Sequence, residues 1–199
     1  IVTGSEMPPF FAAKLAANGG DPKDSILVRF GGSIRVGGVT IATVHALHSN
    51  GLDPDYIGGE LGKSMKAAGI AGDVGQATGY VLTFSNGLVV YLSGDTGITA
   101  DQEKVVRGHY NAKLAVMNIG DNFTTGPKEA AYVINELVKP NAVIPSHVNE
   151  VATKGGKLLQ VLPATTTETF VKAVKVPVHI PLSGKTMSFD SAGKCVAGC

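Results

Sequence analysis

Three apolar stretches of this chain run into side chains able to bind a metal ion. They are Val39-Thr-Ile-Ala-Thr-Val-His-Ala-Leu-His48, Leu88-Val-Val-Tyr-Leu-Ser-Gly-Asp95 and Asn141-Ala-Val-Ile-Pro-Ser-His147. In a layered α/β fold the ends of strands share an edge where a ligand crevice forms. Two imidazoles and a carboxylate meeting there make a nitrogen and oxygen donor set, suited to zinc or iron rather than to calcium or magnesium. Gly94 and Gly97 flank the acid and allow the tight turns that present Asp95 away from the sheet.

Each of these residues also has an ordinary reading. An aspartate before threonine forms turns and caps, and His147 after Pro145-Ser146 is compatible with a plain loop histidine. His45 and His48 are three apart, which places them on opposite faces of a strand, so at most one enters a shared site. His109 and His179 have no comparable setting and read as surface or packing residues. Asp95-Thr96-Gly97 also matches the tripeptide of aspartic proteases, which pair two such acids. Here Ser93-Gly94 precede it and no second copy occurs, so that reading is set aside.

The elements that must position these residues follow from pattern. Ile1-Val2 opens like a strand, and Pro8-Pro9 start a helix that stops at Gly19-Gly20. Three β-branched runs come next: Ser25–Phe30, Gly32–Val36 and Val39–Val44, with a hairpin turn at Gly37-Gly38. Gly51–Thr78 reads as a long insertion with one or two helical turns over Leu61–Ala68, the kind of loop that serves as a lid. Gly79–Phe84 and Leu88–Leu92 flank Ser85-Asn86-Gly87, a strong hairpin signal. Beyond Gly97 helix and strand alternate: a helix capped near Thr99, a strand at Leu114–Asn118, a helix opened by Gly126-Pro127, and a strand at Asn141–Ile144. The tail predicts a helix over Thr165–Ala173 and strands near Val176–Ile180 and Thr186–Phe189. No internal repeat or linker divides the chain, which reads as a single domain over 1–199.

With 199 residues and 44% apolar content the chain can bury a core. Charged residues are 17% and the net charge is +1, and no Lys/Arg block marks a nucleic-acid partner. Gly, Asn, Lys or Asp interrupts every apolar stretch before the roughly 18 to 20 residues of a membrane span. Cys195 and Cys199 leave two readings open: a local disulfide, which favours a periplasmic or secreted location, or two thiols on a loose tail.

Taken in order, several segments resemble the metallo-β-lactamase fold superfamily, in particular its small metal-dependent hydrolases related to the UlaG-like lactonases. They are Ala46-Leu-His-Ser49, Gly79-Tyr-Val81, Gly94-Asp-Thr-Gly97, Asn118-Ile-Gly-Asp-Asn-Phe-Thr-Thr-Gly-Pro127, Lys128-Glu-Ala-Ala131 and Val143-Ile-Pro-Ser-His147, within roughly residues 26 to 150. The resemblance implies an α/β fold, an αββα sandwich, with a two-metal site holding zinc, iron or manganese. It implies that His48 ligates the first metal, Asp95 bridges both and His147 ligates the second, and that these three are the catalytic residues. Asn122, Phe123, Thr124 and Gly126 would lie where substrate is positioned. The implied chemistry is hydrolysis of a small ester or lactone by metal-activated water, with a phosphodiester as the second choice.

The His-x-His-x-Asp-His motif that supplies the remaining ligands in that superfamily does not occur in these residues. Ile1–Phe10 resembles the strand that follows the motif, so the fold is expected to be incomplete at its amino-terminal side. Three readings stay open: a piece of a longer hydrolase, a shortened chain with one metal, or a metal-free remnant. The last would bind or build structure, associating with a second copy through an uncovered sheet edge.

Overall fold

The computed structural model describes residues 1–4, 7–120, 122–155, 157 and 160–199. At the start β1 (Val2–Thr3) and β2 (Ile26–Leu27) pair in parallel, with α1 (Pro8–Ala17) between them. The expected strand over Ser25–Phe30 is thus reduced to two residues. β3 (Ser33–Val36) and β4 (Val39–His45) form the expected hairpin, Val36 facing Val39 across the Gly37-Gly38 turn.

The insertion is more ordered than its composition suggests. It folds as β5 (Gly51–Leu52), a 3-10 turn at Pro54–Tyr56, α2 (Gly59–Ala68) and β6 (Gly72–Asp73). β5 and β6 pair as the stem of this excursion, and α2 packs on the 3-10 turn closely enough that a Cβ at Gly62 would stand 2.7 Å from the Pro54 carbonyl oxygen. Lys66 spans from α2 to Asp55 at 2.7 Å, and that hydrogen bond raises the lysine's pKa.

The frame continues with β7 (Thr78–Thr83) and β8 (Val89–Leu92), joined at Asn86-Gly87. Asn86 Oδ1 accepts the Leu88 N–H at 3.0 Å and Gly87 takes φ +88, which suits the glycine the turn predicted. Then come α3 (Gln102–Tyr110, wound in wider π turns), β9 (Leu114–Asn118), α4 (Pro127–Tyr132, continuing in wider turns through Val133–Val138) and β10 (Ala142–Ser146). The tail adds α5 (Thr166–Ala173), β11 (Ser188–Phe189) and β12 (Cys195–Ala197). The expected strand near Val176–Ile180 is a single bridge between Val178 and Val143.

Six strands form one sheet in the order β10-β9-β8-β7-β4-β3. β4, β7 and β8 pair antiparallel, and β8, β9 and β10 pair parallel through the crossovers made by α3 and α4. Two antiparallel steps return β4 to the direction of β8. The carboxyl ends of β4, β8, β9 and β10 therefore all leave the sheet at the same edge.

Alternation along the strands sends Val44, Val81, Tyr91, Ala115, Met117 and Val143 to one face, where Val106, Ile134 and Phe170 of α3, α4 and α5 cover them. Each such fully buried large aliphatic or aromatic side chain contributes roughly 1.5 to 3 kcal/mol. The opposite face carries Leu82, Val90, Leu92, Val116 and Ile144, several of them only partly buried, with Phe189 of the tail against them. An apolar second face is what a sheet of a layered sandwich requires. Among the described residues no helix is long and apolar enough to cross a membrane.

Candidate functional site

The shared edge is tied together by a buried polar network. Ser93, Thr96, Asn118 and Thr125 are each at most 3% exposed. Asn118 ends β9, and its Nδ2 donates to the Thr96 carbonyl at 3.0 Å and to Thr125 Oγ1 at 2.9 Å. Its backbone N–H donates to Ser93 Oγ at 3.0 Å, while Ser93 Oγ shares its one proton between Asn118 Oδ1 and the Gly94 carbonyl. Thr125 Oγ1 in turn donates to the Asn118 carbonyl, and its backbone N–H to that of Thr96. Every member of the network has a partner, as burial demands. The loop after β8 and the loop after β9 are thereby one unit.

The loop after β4 joins the same unit. Leu47 N–H donates to Thr96 Oγ1 at 2.9 Å, and Gly97 N–H donates to the Leu47 carbonyl at 3.0 Å. His48 follows Leu47 and Asp95 precedes Thr96, so these two residues flank the tie. Gly94 has φ +59, and a Cβ there would stand 3.0 Å from the Thr78 carbonyl oxygen, so the turn that presents Asp95 favours glycine both for conformation and for space.

His147, just past β10, meets Asp95: Nε2 lies 3.4 Å from Oδ2, with the two side chains 32% and 45% exposed. His147 has φ +53, a left-handed conformation uncommon outside glycine. Asn149 places its side-chain amide 3.2 Å from the other ring nitrogen, Nδ1. Gly120 backs the ring so closely that a Cβ there would collide with His147 Nδ1 and stand 2.9 Å from Thr124 Oγ1. Asn149 and Gly120 were not singled out from sequence, although Gly120 lies inside the Asn118–Pro127 segment.

The structure brings Asp95 and His147 together and does not bring His48 into the same cluster. The ligand atoms of these three residues do not all fall within 4.8 Å of one another. His48 Nδ1 stands 2.7 Å from the Ser49 carbonyl; donating its proton there leaves the Nε2 lone pair available. A cavity of about 540 Å³ is lined by His48, Leu47 and Asn50 on one side and by Asp73, Gly75 and Gln76 of the insertion stem on the other. His45 leaves the sheet alongside, its N–H donating to Asp101 Oδ2 at 3.3 Å.

The loop after β9 carries the residues expected to position substrate. Asn122 is exposed and Phe123 is 82% exposed. Thr124 Oγ1 approaches the Thr125 carbonyl at 3.4 Å, and Gly126 caps α4, its carbonyl accepting from Ala130 N–H. Asp121 of the same segment lies outside the described residues. His109 stands edge-on against Tyr110 and His179 edge-on against Phe189.

The protein has the metallo-β-lactamase fold. The solved structure of Igni18, a metallo hydrolase of Ignicoccus hospitalis, covers 97% of this chain with 66% of its own at 20% identity and TM-score 0.56. The metallo-β-lactamase fold protein YhfI of Bacillus subtilis covers 79% with 54% of its own at 12% identity and TM-score 0.50. In sequence the chain is similar to the UPF0173 metal-dependent hydrolases, and it is 35% identical to that of Koribacter versatilis over 128 residues, 64% of this chain and 48% of the relative. The chain spans about half the length of the curated relatives it matches. No family model matches it.

Proposed function

We propose that this chain supplies part of the metal-binding edge of a metal-dependent hydrolase acting on a small ester or lactone. The observation that carries the reading is the 3.4 Å separation of His147 Nε2 and Asp95 Oδ2 at the edge where four strands end. Two ligands held at roughly 2.0 to 2.1 Å on a tetrahedral ion stand roughly 3.3 to 3.4 Å apart, so the pair fits a shared cation. The name borne by the UPF0173 relatives, metal-dependent hydrolase, supports it further.

Asp95 and His147 would hold one ion, and His48 a second beside Asp95. In such a two-metal arrangement His48 and His147 need not touch. A bound metal supplies a water of lowered pKa and polarises the scissile carbonyl. The chain's own part is positional. For a metal to take His147 Nε2, Nδ1 must carry the proton; Asn149 stands with its Nδ2 3.2 Å from Nδ1, and flipping that amide would bring its oxygen there to accept the proton. The Ser49 carbonyl does the same for His48. The cavity beside His48 is of a size for a small molecule, since such sites run roughly 300 to 1,000 Å³.

The test is metal analysis of the purified chain under oxidising conditions, followed by assay with a p-nitrophenyl ester, a lactone and bis-p-nitrophenyl phosphate. One or two bound equivalents and ester or lactone turnover are expected, lost in His48→Ala, Asp95→Ala and His147→Ala and kept in His109→Ala. Full activity in Asp95→Ala would refute the assignment, turnover of the phosphodiester alone would move the substrate class, and absence of bound metal would favour a binding or structural role.

A further inference from the structure

Among the described residues, the one group of three His, Cys or acidic side chains whose ligand atoms all lie within 4.8 Å of one another is His179, Cys195 and Cys199. It stands at the far end of β10 from the edge just described. His179 N–H donates to the Val143 carbonyl at 2.9 Å, four residues before His147, or roughly 13 Å along a strand.

The tail is shaped to make this cluster. β11 and β12 place Phe189 opposite Cys195, and the His179 ring packs edge-on against Phe189 with centroids 5.4 Å apart. The hairpin turn is closed by Asp190, whose Oδ1 accepts the N–H groups of Ala192 and Lys194 at 2.9 Å, and Asn141 Nδ2 anchors it to the start of β10 through the Ala192 carbonyl at 2.7 Å. At Gly198 the chain turns back with φ +79, and a Cβ there would collide with the Thr186 carbonyl. That reversal delivers Cys199 to Cys195, to which it is joined by a disulfide.

We propose that His179, Cys195 and Cys199 form a redox-gated site for a thiophilic divalent cation, closed as the disulfide and opened as the dithiol. A dithiol reductant supplies two electrons and two protons, breaks the S–S bond into two thiols and is itself oxidised to a disulfide. A zinc ion then displaces both thiol protons and takes two thiolates and one imidazole nitrogen, with water in the fourth position. Cysteines separated by three residues fall within the spacing zinc sites use. Cys199 is exposed and within reach of a reductant. Thiolate sulfur selects zinc or another soft cation over magnesium or calcium.

Cobalt(II) is the probe, because thiolate ligation gives a charge-transfer absorption that the Asp95 edge, with nitrogen and oxygen donors only, does not. The intact chain, reduced with a phosphine and compared with its oxidised form, is expected to bind one additional equivalent with that absorption. Cys195→Ser abolishes it, His179→Ala weakens the binding by roughly tenfold or more, and Asp95→Ala leaves it in place. No additional equivalent on reduction would overturn the proposal, as would unchanged affinity in His179→Ala or loss of the absorption in Asp95→Ala. Circular dichroism of each variant separates loss of the site from loss of the fold.

Discussion

Asn118→Ala isolates the node that joins the loops of the candidate site. The substitution deletes three side-chain hydrogen bonds, from Nδ2 to the Thr96 carbonyl, from Nδ2 to Thr125 Oγ1 and from Ser93 Oγ to Oδ1. Each former partner keeps another bond: Thr96 O still receives Thr125 N–H, Thr125 Oγ1 still donates to the Asn118 carbonyl, and Ser93 Oγ still receives Asn118 N–H. No buried group is orphaned, so the loss is the net worth of the bonds at about 0.5 to 1.5 kcal/mol each, or about 3 kcal/mol together. Urea unfolding at neutral pH measures it. Against a typical stability of about 5 to 15 kcal/mol the variant still folds. Metal affinity is expected to fall with it, because Thr96 is adjacent to Asp95 and is then held to the loop after β9 by the Thr125 N–H alone. A double-mutant cycle with Thr125→Val should give a coupling of about 0.5 to 1.5 kcal/mol. A destabilisation below about 1 kcal/mol, or zero coupling, would show that the Asn118 amide contributes less to the network than its bonds imply.

Gly120→Ala adds a Cβ where the His147 ring and Thr124 Oγ1 already stand, and the ring is fixed by Asn149 and Asp95. Overpacking of about 1 to 3 kcal/mol is expected in urea unfolding, with metal affinity reduced roughly tenfold or more in calorimetry; wild-type affinity would mean that the ring can move aside. Tyr91 is fully buried, its phenol pushed up to about 12 by burial. Its hydroxyl has no hydrogen-bond partner among the described residues, for the nearby Gln102 amide, which favours the ionised form, is directed to the Gly97 carbonyl and Thr99 N–H. Below about pH 10 the phenol is neutral in both states; from there to about pH 12 only the unfolded chain ionises, so stability falls by up to about 3 kcal/mol. Tyr91→Phe should abolish that alkaline loss and change stability at neutral pH by less than about 1 kcal/mol, and an unaltered alkaline profile would contradict it. Ser93→Ala removes the acceptor of Asn118 N–H inside the buried network and should cost about 1 to 3 kcal/mol in the same unfolding assay; a neutral result would indicate that water replaces the hydroxyl.

The strands that carry the edge were legible because their apolar runs are bounded by glycine turns: Gly37-Gly38 and Asn86-Gly87 mark hairpins, and both hairpins form. The common edge followed from these strands and the two helical crossovers. The insertion was less legible, since β5 and β6 are two residues each and α2 includes Gly59 and Gly62, which weaken any periodic signal. Segments at 25–30 and 176–180 have strand-forming composition but pair over only two residues and one bridge, because tertiary neighbours decide pairing. In the site, the metal-capable side chains stood out by type and position. The residues beside them did not: Asn149 reaches His147 Nδ1 by a contact, and the Ser93–Asn118–Thr125 network forms through contacts, that no local pattern announces.

The tie between Leu47 and Thr96 joins residues 49 apart in sequence, and that between Ser93 and Asn118 joins residues 25 apart. Loop-closure entropy opposes such contacts until the intervening strands are in place. The edge is therefore expected to be among the last parts of this fold to assemble, closing only when β4, β8 and β9 lie side by side. Amide hydrogen exchange would register it as a single opening unit, with the Leu47, Gly97 and Thr125 N–H groups released together at a free energy below that of global unfolding.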